Sequence, residues 1–264
     1  MLEVKGIYKT FNPGTVNEKH ALNGVNLTME DGDFITVIGG NGAGKSTLMN
    51  AIAGAWPIDE GTILIDGANV THLPEHKRAA FIGRVFQDPM MGTAATMGIE
   101  ENLALAKRRG KLRTLMPGIK KAERDEYREL LKTLGLGLED RLTSKVGLLS
   151  GGQRQALTLL MAALKRPKLL LLDEHTAALD PKTAAKVLTL SDQIVEENGL
   201  TTLMITHNMK DAIQHGNRLI MMDAGRVVVD ISGEEKKKLT VPDLLALFSR
   251  ASGSEEADDK LLLS

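Results

Sequence analysis

The sequence predicts an α/β protein that combines a mostly parallel sheet with an N-terminal antiparallel β subdomain and an inserted α-helical subdomain. Short alternating apolar stretches over residues 2–25 indicate antiparallel strands. The apolar, β-branched run at residues 34–38 leads directly into a glycine-rich stretch and then a helical pattern, the order that opens a βαβ unit. Between residues 99 and 142, apolar residues recur at helical spacing in a polar background, which indicates helices inserted into the core.

The other elements and the domain limits follow from the same patterns. Helices are predicted at residues 46–53, 153–164 and 182–196. Further buried strands are predicted at residues 62–65, 81–86, 169–172, 202–205 and 218–222. We assign residues 1–248 to one domain, with the helical subdomain at roughly 88–165. Residues 249–264 are rich in Ser, Gly and acidic residues, which predicts a flexible C-terminal tail.

The composition excludes several functional classes. Of the 264 residues, 42% are apolar and 25% are charged, as in ordinary globular proteins. Because cysteine is absent, a disulfide, a thiolate nucleophile and a cysteine-based zinc site are excluded. The net charge of −1 provides no positive field that would attract nucleic acid, and no apolar run approaches the ~20 residues that cross a bilayer. Any role at a membrane is therefore expected to depend on a partner.

A glycine-rich motif after the first buried strand matches the phosphate-loop pattern G-x-x-x-x-G-K-[ST], which indicates a P-loop NTPase core. The motif comprises Gly39, Gly40, Asn41, Gly42, Ala43, Gly44, Lys45, Ser46 and Thr47. Its backbone N–H groups can converge on phosphate oxygens, and the start of the next helix adds to that attraction. Lys45 would neutralise the β- and γ-phosphates of ATP, and the Ser46 hydroxyl would bind Mg²⁺. The strand before the motif and the helix after it disfavour the alternative of a merely flexible glycine loop.

Two adjacent carboxylates, Asp173 and Glu174, follow a run of four leucines. Because ligands bind beyond the carboxyl ends of parallel strands, both acids are expected to face the phosphate loop. Asp173 would hold Mg²⁺, and Glu174 would orient and polarise the water that attacks the γ-phosphate. Alone, such a pair would more often be a solvated strand end; the phosphate loop favours the catalytic interpretation.

The segment L-S-G-G-Q contains Ser150, Gly151, Gly152 and Gln153 and precedes a predicted helix. Ser150 is well placed to cap this helix, which by itself would explain the residue. A Ser-Gly-Gly helix start is also a second phosphate-binding end. Since one ATP does not readily need two such ends on the same face, the segment indicates a site that a second subunit completes.

Together these motifs resemble the nucleotide-binding domain of ABC proteins over residues 2–230. The resemblance implies that Gln87 contacts Mg²⁺ or the attacking water and a membrane partner, and that Asp180 contacts a second subunit. It implies that His207 donates a hydrogen bond to the γ-phosphate and that Phe11 stacks on adenine. Each residue also has an ordinary explanation: a surface amide for Gln87, a helix cap for Asp180, a structural histidine for His207 and a core aromatic for Phe11.

The sequence departs from the family pattern after Glu174, where His175 stands in place of the usual proline. Since proline would fix the local backbone, His175 is expected to alter the rigidity of this loop. It removes no group that hydrolysis needs, so the expected activity is unchanged.

The resemblance implies a head-to-tail homodimer with two ATP molecules between its subunits, and ATP-driven closure that moves a permease on another chain. The absence of a fused permease favours an importer, and so does the segment at residues 143–148, which lacks the glutamate-containing loop typical of many exporters. The resemblance implies a small, amino-acid-like solute, served by an extracytoplasmic solute-binding protein. The expected location is cytoplasmic, peripheral on the inner face of the cell membrane. Met90, Met91 and Met97 would either fill core gaps or form a groove for a permease helix.

The sequence supports three alternative functions less well than this interpretation. A soluble ABC ATPase that acts on nucleic acid or ribosomes is disfavoured, because the basic run at residues 107–113 has no interleaved aromatic residues and has acidic neighbours. An exporter ATPase remains open. A small-molecule kinase would have no use for the L-S-G-G-Q segment.

Overall fold

The structure is a computed structural model that describes residues 1–110 and 118–252. A four-stranded antiparallel sheet in the order β2-β1-β4-β5 forms the N-terminal part. Its strands are β1 Leu2–Phe11, β2 Lys19–Met29, β4 Glu60–Ile65 and β5 Ala68–Asn69. The predicted antiparallel strands are confirmed. The strand predicted at residues 62–65 also belongs to this sheet, because β4 pairs with β1.

A second sheet has six strands in the order β10-β9-β3-β8-β7-β6. Its strands are β3 Phe34–Ile38, β6 Ile82–Val85, β7 Leu169–Asp173, β8 Thr202–Ile205, β9 Arg218–Asp223 and β10 Arg226–Ser232. All neighbours in this sheet are parallel except β9 and β10, which confirms the mostly parallel sheet. The sequence analysis missed β10, because Ala224 rather than Asn occupies the first left-handed position of its hairpin turn, with φ 45°.

Helices cover the sheets and separate the strands. They are α1 Lys45–Ala53, α2 Glu75–Arg78, α3 Ile99–Lys107, α4 Lys121–Lys132, α5 Gly151–Ala163, α6 Pro181–Asn198, α7 Met209–Gln214, α8 Gly233–Lys238 and α9 Val241–Ser252. The predicted helices at residues 46–53, 153–164 and 182–196 correspond to α1, α5 and α6. Within the described residues, no helix has both the length and the apolar character that crossing a membrane requires.

The four leucines of β7 show how the core is organised. Leu169 and Leu171 belong to the cluster under the antiparallel sheet and α1, whereas Leu170 and Leu172 belong to the cluster under the inserted helices. Each leucine is at most 1% exposed, because successive side chains of a strand point to opposite faces and both faces are covered. The helices of the predicted helical subdomain therefore share one core with the sheet.

The C-terminal boundary requires a correction. The flexible tail was predicted to begin at residue 249, but α9 continues to Ser252. Leu244 and Phe248 lie in a cluster with β9 and α7. Because this burial anchors α9, the helix continues into the polar residues at its end. Residues 253–264 of the predicted tail, and residues 111–113 of the basic run, lie outside the described residues.

Candidate active site

The phosphate loop connects β3 to α1 with a backbone that only glycine fits at two positions. Gly39 has φ 151°, and a Cβ there would lie 2.2 Å from the carbonyl oxygen of Met222. Gly44 has φ 101°, and a Cβ there would lie 2.5 Å from the carbonyl oxygen of Ala21. These approaches leave no room for a side chain, so the neighbouring strands hold the loop closely.

Lys45 begins α1 and turns its ammonium group back into the loop. Its Nζ donates hydrogen bonds to the carbonyl oxygens of Gly39, at 2.6 Å, and Gly40, at 3.2 Å. Burial lowers the pKa of Lys45, while the nearby carboxylates of Glu174 and Asp173 act in the opposite direction. The loop thus holds a cation next to its backbone amides, an arrangement suited to an anionic ligand.

A pocket of 190 Å³ opens over the loop. Its lining consists of Phe11, Lys19, Ala21, Asn41, Gly42, Ala43, Gly44, Lys45, Ser46, Thr47 and Glu174. Phe11 contacts the ring of Trp56 edge to face, with centroids 5.2 Å apart. Lys19 pairs with Phe11 across the β1–β2 ladder. Sequence reasoning missed Lys19, since only strand register places this exposed lysine beside the loop.

Asp173 ends β7 and is held by Arg84 from the adjacent strand. The Arg84 Nη2 lies 3.1 Å from the Asp173 Oδ2 and 2.9 Å from the Asn50 Oδ1, and its guanidinium stacks on Phe86 at 4.6 Å. Burial raises the pKa of Asp173, and Arg84 partly offsets that effect. Asp173 lines a neighbouring cavity of 650 Å³ together with Gln87. Arg84 was missed as well, because a lone arginine inside a strand carries no motif signal.

Glu174 lies one residue beyond β7 in the left-handed region, with φ 44°. For a residue other than glycine this conformation costs roughly 1–3 kcal/mol and persists only where the surroundings enforce it. The Glu174 Oε2 lies 3.6 Å from the Nδ1 of His207, which follows β8. Both residues line a third cavity, of 410 Å³, while Glu174 also lines the pocket over the loop. The structure therefore brings Glu174, His207 and Lys45 together.

The L-S-G-G-Q segment and Asp180 form a different surface. The Ser150 hydroxyl accepts from the Gln153 amide at 3.3 Å, so Ser150 caps α5 as predicted. Asp180 caps α6 through the Thr183 amide at 3.1 Å. A Cβ on Gly152 would lie 2.2 Å from the Thr183 Cγ2, so the two helix starts adjoin. None of these residues lines the pocket over the phosphate loop.

The family assignment follows from the comparisons with known proteins. A family model described as "ABC transporter" matches residues 22–177. The tyrosine transport ATP-binding protein of Clostridioides difficile is 46% identical over 252 residues, which cover 95% of this chain and 100% of that protein. The chain belongs to the ABC transporter family.

Other relatives of this ABC protein extend the comparison. The methionine import ATP-binding protein MetN of Rhizobium johnstonii is 39% identical over 212 residues, 79% of this chain but 56% of that protein. A dimeric ATP-binding cassette in a post-hydrolysis state, bound to ADP and phosphate, is 32% identical and superposes with a TM-score of 0.74 over 88% of this chain and 98% of that one. This chain is accordingly an ABC ATPase, which confirms the predicted fold, ATP binding and enzyme class.

The residues of this ABC ATPase fit the MgATP substrate. The loop is a cradle that a single Cβ at Gly39 or Gly44 would disrupt, and Lys45 is buried within it. Ser46 and Asp173 provide the hard oxygen atoms that Mg²⁺ prefers. Within residues 1–110 and 118–252, no group of three or more acidic, His or Cys side chains lies close enough to hold a metal ion. The assignment of Mg²⁺ to Ser46, Asp173 and Gln87 stays a prediction.

Replacing Phe11 with alanine tests whether this ABC ATPase stacks adenine on that ring. We expect the dissociation constant for ATP to rise about 3–10-fold, the equivalent of one aromatic stack, with little change in kcat. Calorimetric titration of ATP into the variant measures the effect. Phe11→Tyr, which keeps the π-face, serves as the matched control and should bind normally. Equal affinities of the alanine variant and the wild type would contradict the assignment.

Proposed function

We propose that this ABC ATPase powers import of an aromatic amino acid, with tyrosine as the first candidate, through a permease on another chain. The observation that carries the proposal is the 46% identity over the whole length of a tyrosine transport ATP-binding protein. Relatives named as methionine import proteins support an amino-acid solute and the inward direction. Neither the exporter nor the nucleic-acid alternative receives comparable support from these relatives.

Within each site, the chain's own residues bind and orient MgATP. The phosphate-loop amides and Lys45 hold the phosphates, and Ser46 and Asp173 bind the magnesium ion, with Gln87 at the edge of the adjoining cavity. Glu174 orients and polarises the attacking water, and His207 donates a hydrogen bond to the γ-phosphate. The 3.6 Å separation of the Glu174 and His207 side chains, and the position of Glu174 on the pocket, support these roles.

A second copy of this chain completes each site. The surface formed by Ser150, Gly151, Gln153 and Asp180, with Gly152 buried beneath it, is separate from the pocket that holds Lys45. In a head-to-tail dimer this surface would cover the ATP of the partner and offer the amides at the start of α5 to its phosphates. The similarity to a dimeric cassette supports the arrangement.

The permease is proposed to dock at the cavity beside Gln87. Met91 is 69% exposed and lines this cavity of 650 Å³, and the neighbouring Met90, 42% exposed, contacts Arg154. Met97 is half-buried. Exposed methionines adapt to varied apolar surfaces, which suits a short permease helix. Cytoplasmic placement at the inner face of the membrane would follow from this docking.

Replacing Met91 with glutamate tests the docking cavity. We expect ATP affinity to stay within about twofold, because Met91 lies outside the nucleotide pocket, while substrate-stimulated ATPase activity of the permease complex is lost, because a buried charge in the contact costs several kcal/mol. Purified complexes in lipid vesicles provide the measurement. Met91→Leu keeps the apolar surface and should remain coupled. Full stimulation of the glutamate variant would contradict the proposed cavity.

Affinity purification from detergent-solubilised native membranes, followed by mass spectrometry, tests the function as a whole. Recovery of a polytopic permease and an extracytoplasmic solute-binding protein that binds tyrosine is expected. A permease without a binding protein would favour the exporter alternative. Ribosomal or DNA-associated partners without a membrane protein would overturn the transport function.

A further inference from the structure

His175, the residue that replaces the family's usual proline, is buried beside the candidate catalytic glutamate. His175 is 2% exposed, and it follows the half-buried Asp173 and Glu174 at the end of β7. Its Nε2 lies 2.9 Å from the Oγ of Ser191, in the middle of α6. A polar ring in such a position must form a hydrogen bond, so the contact is part of the fold of this loop.

Ser191 contacts both its own helix and His175. Its Oγ lies 2.9 Å from the Val187 carbonyl oxygen, one turn earlier in α6, and 2.9 Å from the His175 Nε2. Because a hydroxyl can both donate and accept, either tautomer of the imidazole can form this hydrogen bond. The contact therefore joins the turn after β7 to the middle of α6.

The backbone next to His175 is in an unusual conformation. Glu174 has φ 44°, and two backbone hydrogen bonds hold it: its N–H donates to Ile205 O at 3.1 Å, and its C=O accepts from the Ala177 N–H at 3.0 Å. Neither bond reaches α6. The contact of His175 with Ser191 links this turn to that helix through a side chain.

We propose that His175 is a positioning residue for ATP hydrolysis. Its imidazole, hydrogen-bonded to Ser191 on α6, holds Glu174 in the left-handed conformation that turns the carboxylate toward the pocket and His207. The inference rests on the proposed role of Glu174, because the anchor acts only through that carboxylate.

Ser191→Ala is the sharpest test, since it removes one oxygen atom from the full-length chain. We expect kcat for ATP hydrolysis to fall about 10–100-fold, because small displacements of a catalytic group have effects of this size, while KM for ATP stays within about twofold. Thr133→Ala is the matched control. The Thr133 hydroxyl also donates to a carbonyl oxygen of its own helix, that of Leu130 in α4, but Thr133 is exposed and lines none of the three cavities. This control should retain wild-type kcat.

Two further variants separate positioning from packing. His175→Gln places an amide, which can donate or accept a hydrogen bond, near the position of Nε2 and should keep most of the wild-type kcat, whereas His175→Leu should lose as much kcat as Ser191→Ala. The double variant of His175→Leu with Ser191→Ala should be no slower than either single variant, because both remove the same interaction. Thermal denaturation and ATP titration establish that each variant is folded.

Three results would overturn the inference: normal kcat in Ser191→Ala, parallel losses of kcat and ATP affinity, or multiplicative effects in the double variant. The variants distinguish an error in the catalytic role of Glu174 from an error in the positioning role of His175. If Glu174→Gln is inactive and Ser191→Ala is normal, only the anchor is wrong. If Glu174→Gln remains active, the assignment of Glu174 is wrong and the anchor has no catalytic group to position.

Discussion

Replacing Glu174 with glutamine is expected to lower ATP turnover about 10²–10³-fold while ATP remains bound. Glutamine keeps the size and hydrogen-bonding capacity of the side chain but cannot accept a proton from the attacking water. The phosphate loop and Lys45 are untouched, so ATP should still close the dimer and then remain trapped. Phosphate release measures turnover, and size-exclusion chromatography in MgATP measures the accumulated dimer.

Glu197→Gln is the matched control for this experiment. Glu197 is exposed near the end of α6, so the same chemical change at that position should leave turnover and association unaltered. Wild-type phosphate release by Glu174→Gln would contradict the catalytic assignment. If the variant is inactive and also fails to bind ATP, the substitution has damaged the pocket. That result would contradict the expectation that Glu174 acts in hydrolysis and not in ATP binding.

Replacing Ser150 with aspartate is expected to lower ATP turnover about 100-fold or more, a loss typical of disturbed phosphate-site electrostatics. Aspartate caps a helix as well as serine does, so α5 should remain intact. In the dimer, however, its carboxylate would face the phosphates bound by the other subunit. ATP affinity of the isolated chain should not change, because Ser150 lies outside the pocket over the phosphate loop. Ser150→Asn introduces a neutral side chain of the same shape as aspartate. It is the control and should lose much less ATP turnover.

Mixing Ser150→Asp with Lys45→Ala decides whether the site is shared between chains. Each variant alone is expected to be inactive. Half of the mixed population would be heterodimers with one intact site, formed by Lys45 of one chain and Ser150 of the other, so activity should recover to about a quarter of the wild type. No recovery would contradict the head-to-tail arrangement, as would loss of ATP binding by the isolated Ser150→Asp chain.

The strands and the motif residues could be predicted because their signals are local. The β-branched run of β3 and the leucines of β7 lie on strands with both faces covered, so their apolar character needs no knowledge of neighbours. Edge and surface elements were harder to predict. The turn before β10 has Ala224 rather than Asn at its left-handed position, and α9 is held by Leu244 and Phe248, which are buried against elements distant along the chain.

The sequence by itself determined the α/β class, the phosphate loop, the order of the carboxylate pair and the L-S-G-G-Q helix start, because each is encoded within a few consecutive residues. Only the tertiary structure decided that Lys19 faces the loop, that Arg84 holds Asp173, and that His175 is anchored on Ser191. These contacts join residues on different strands and helices. Strand register and helix packing set them, and no short-range pattern in a single sequence specifies which distant side chains will meet.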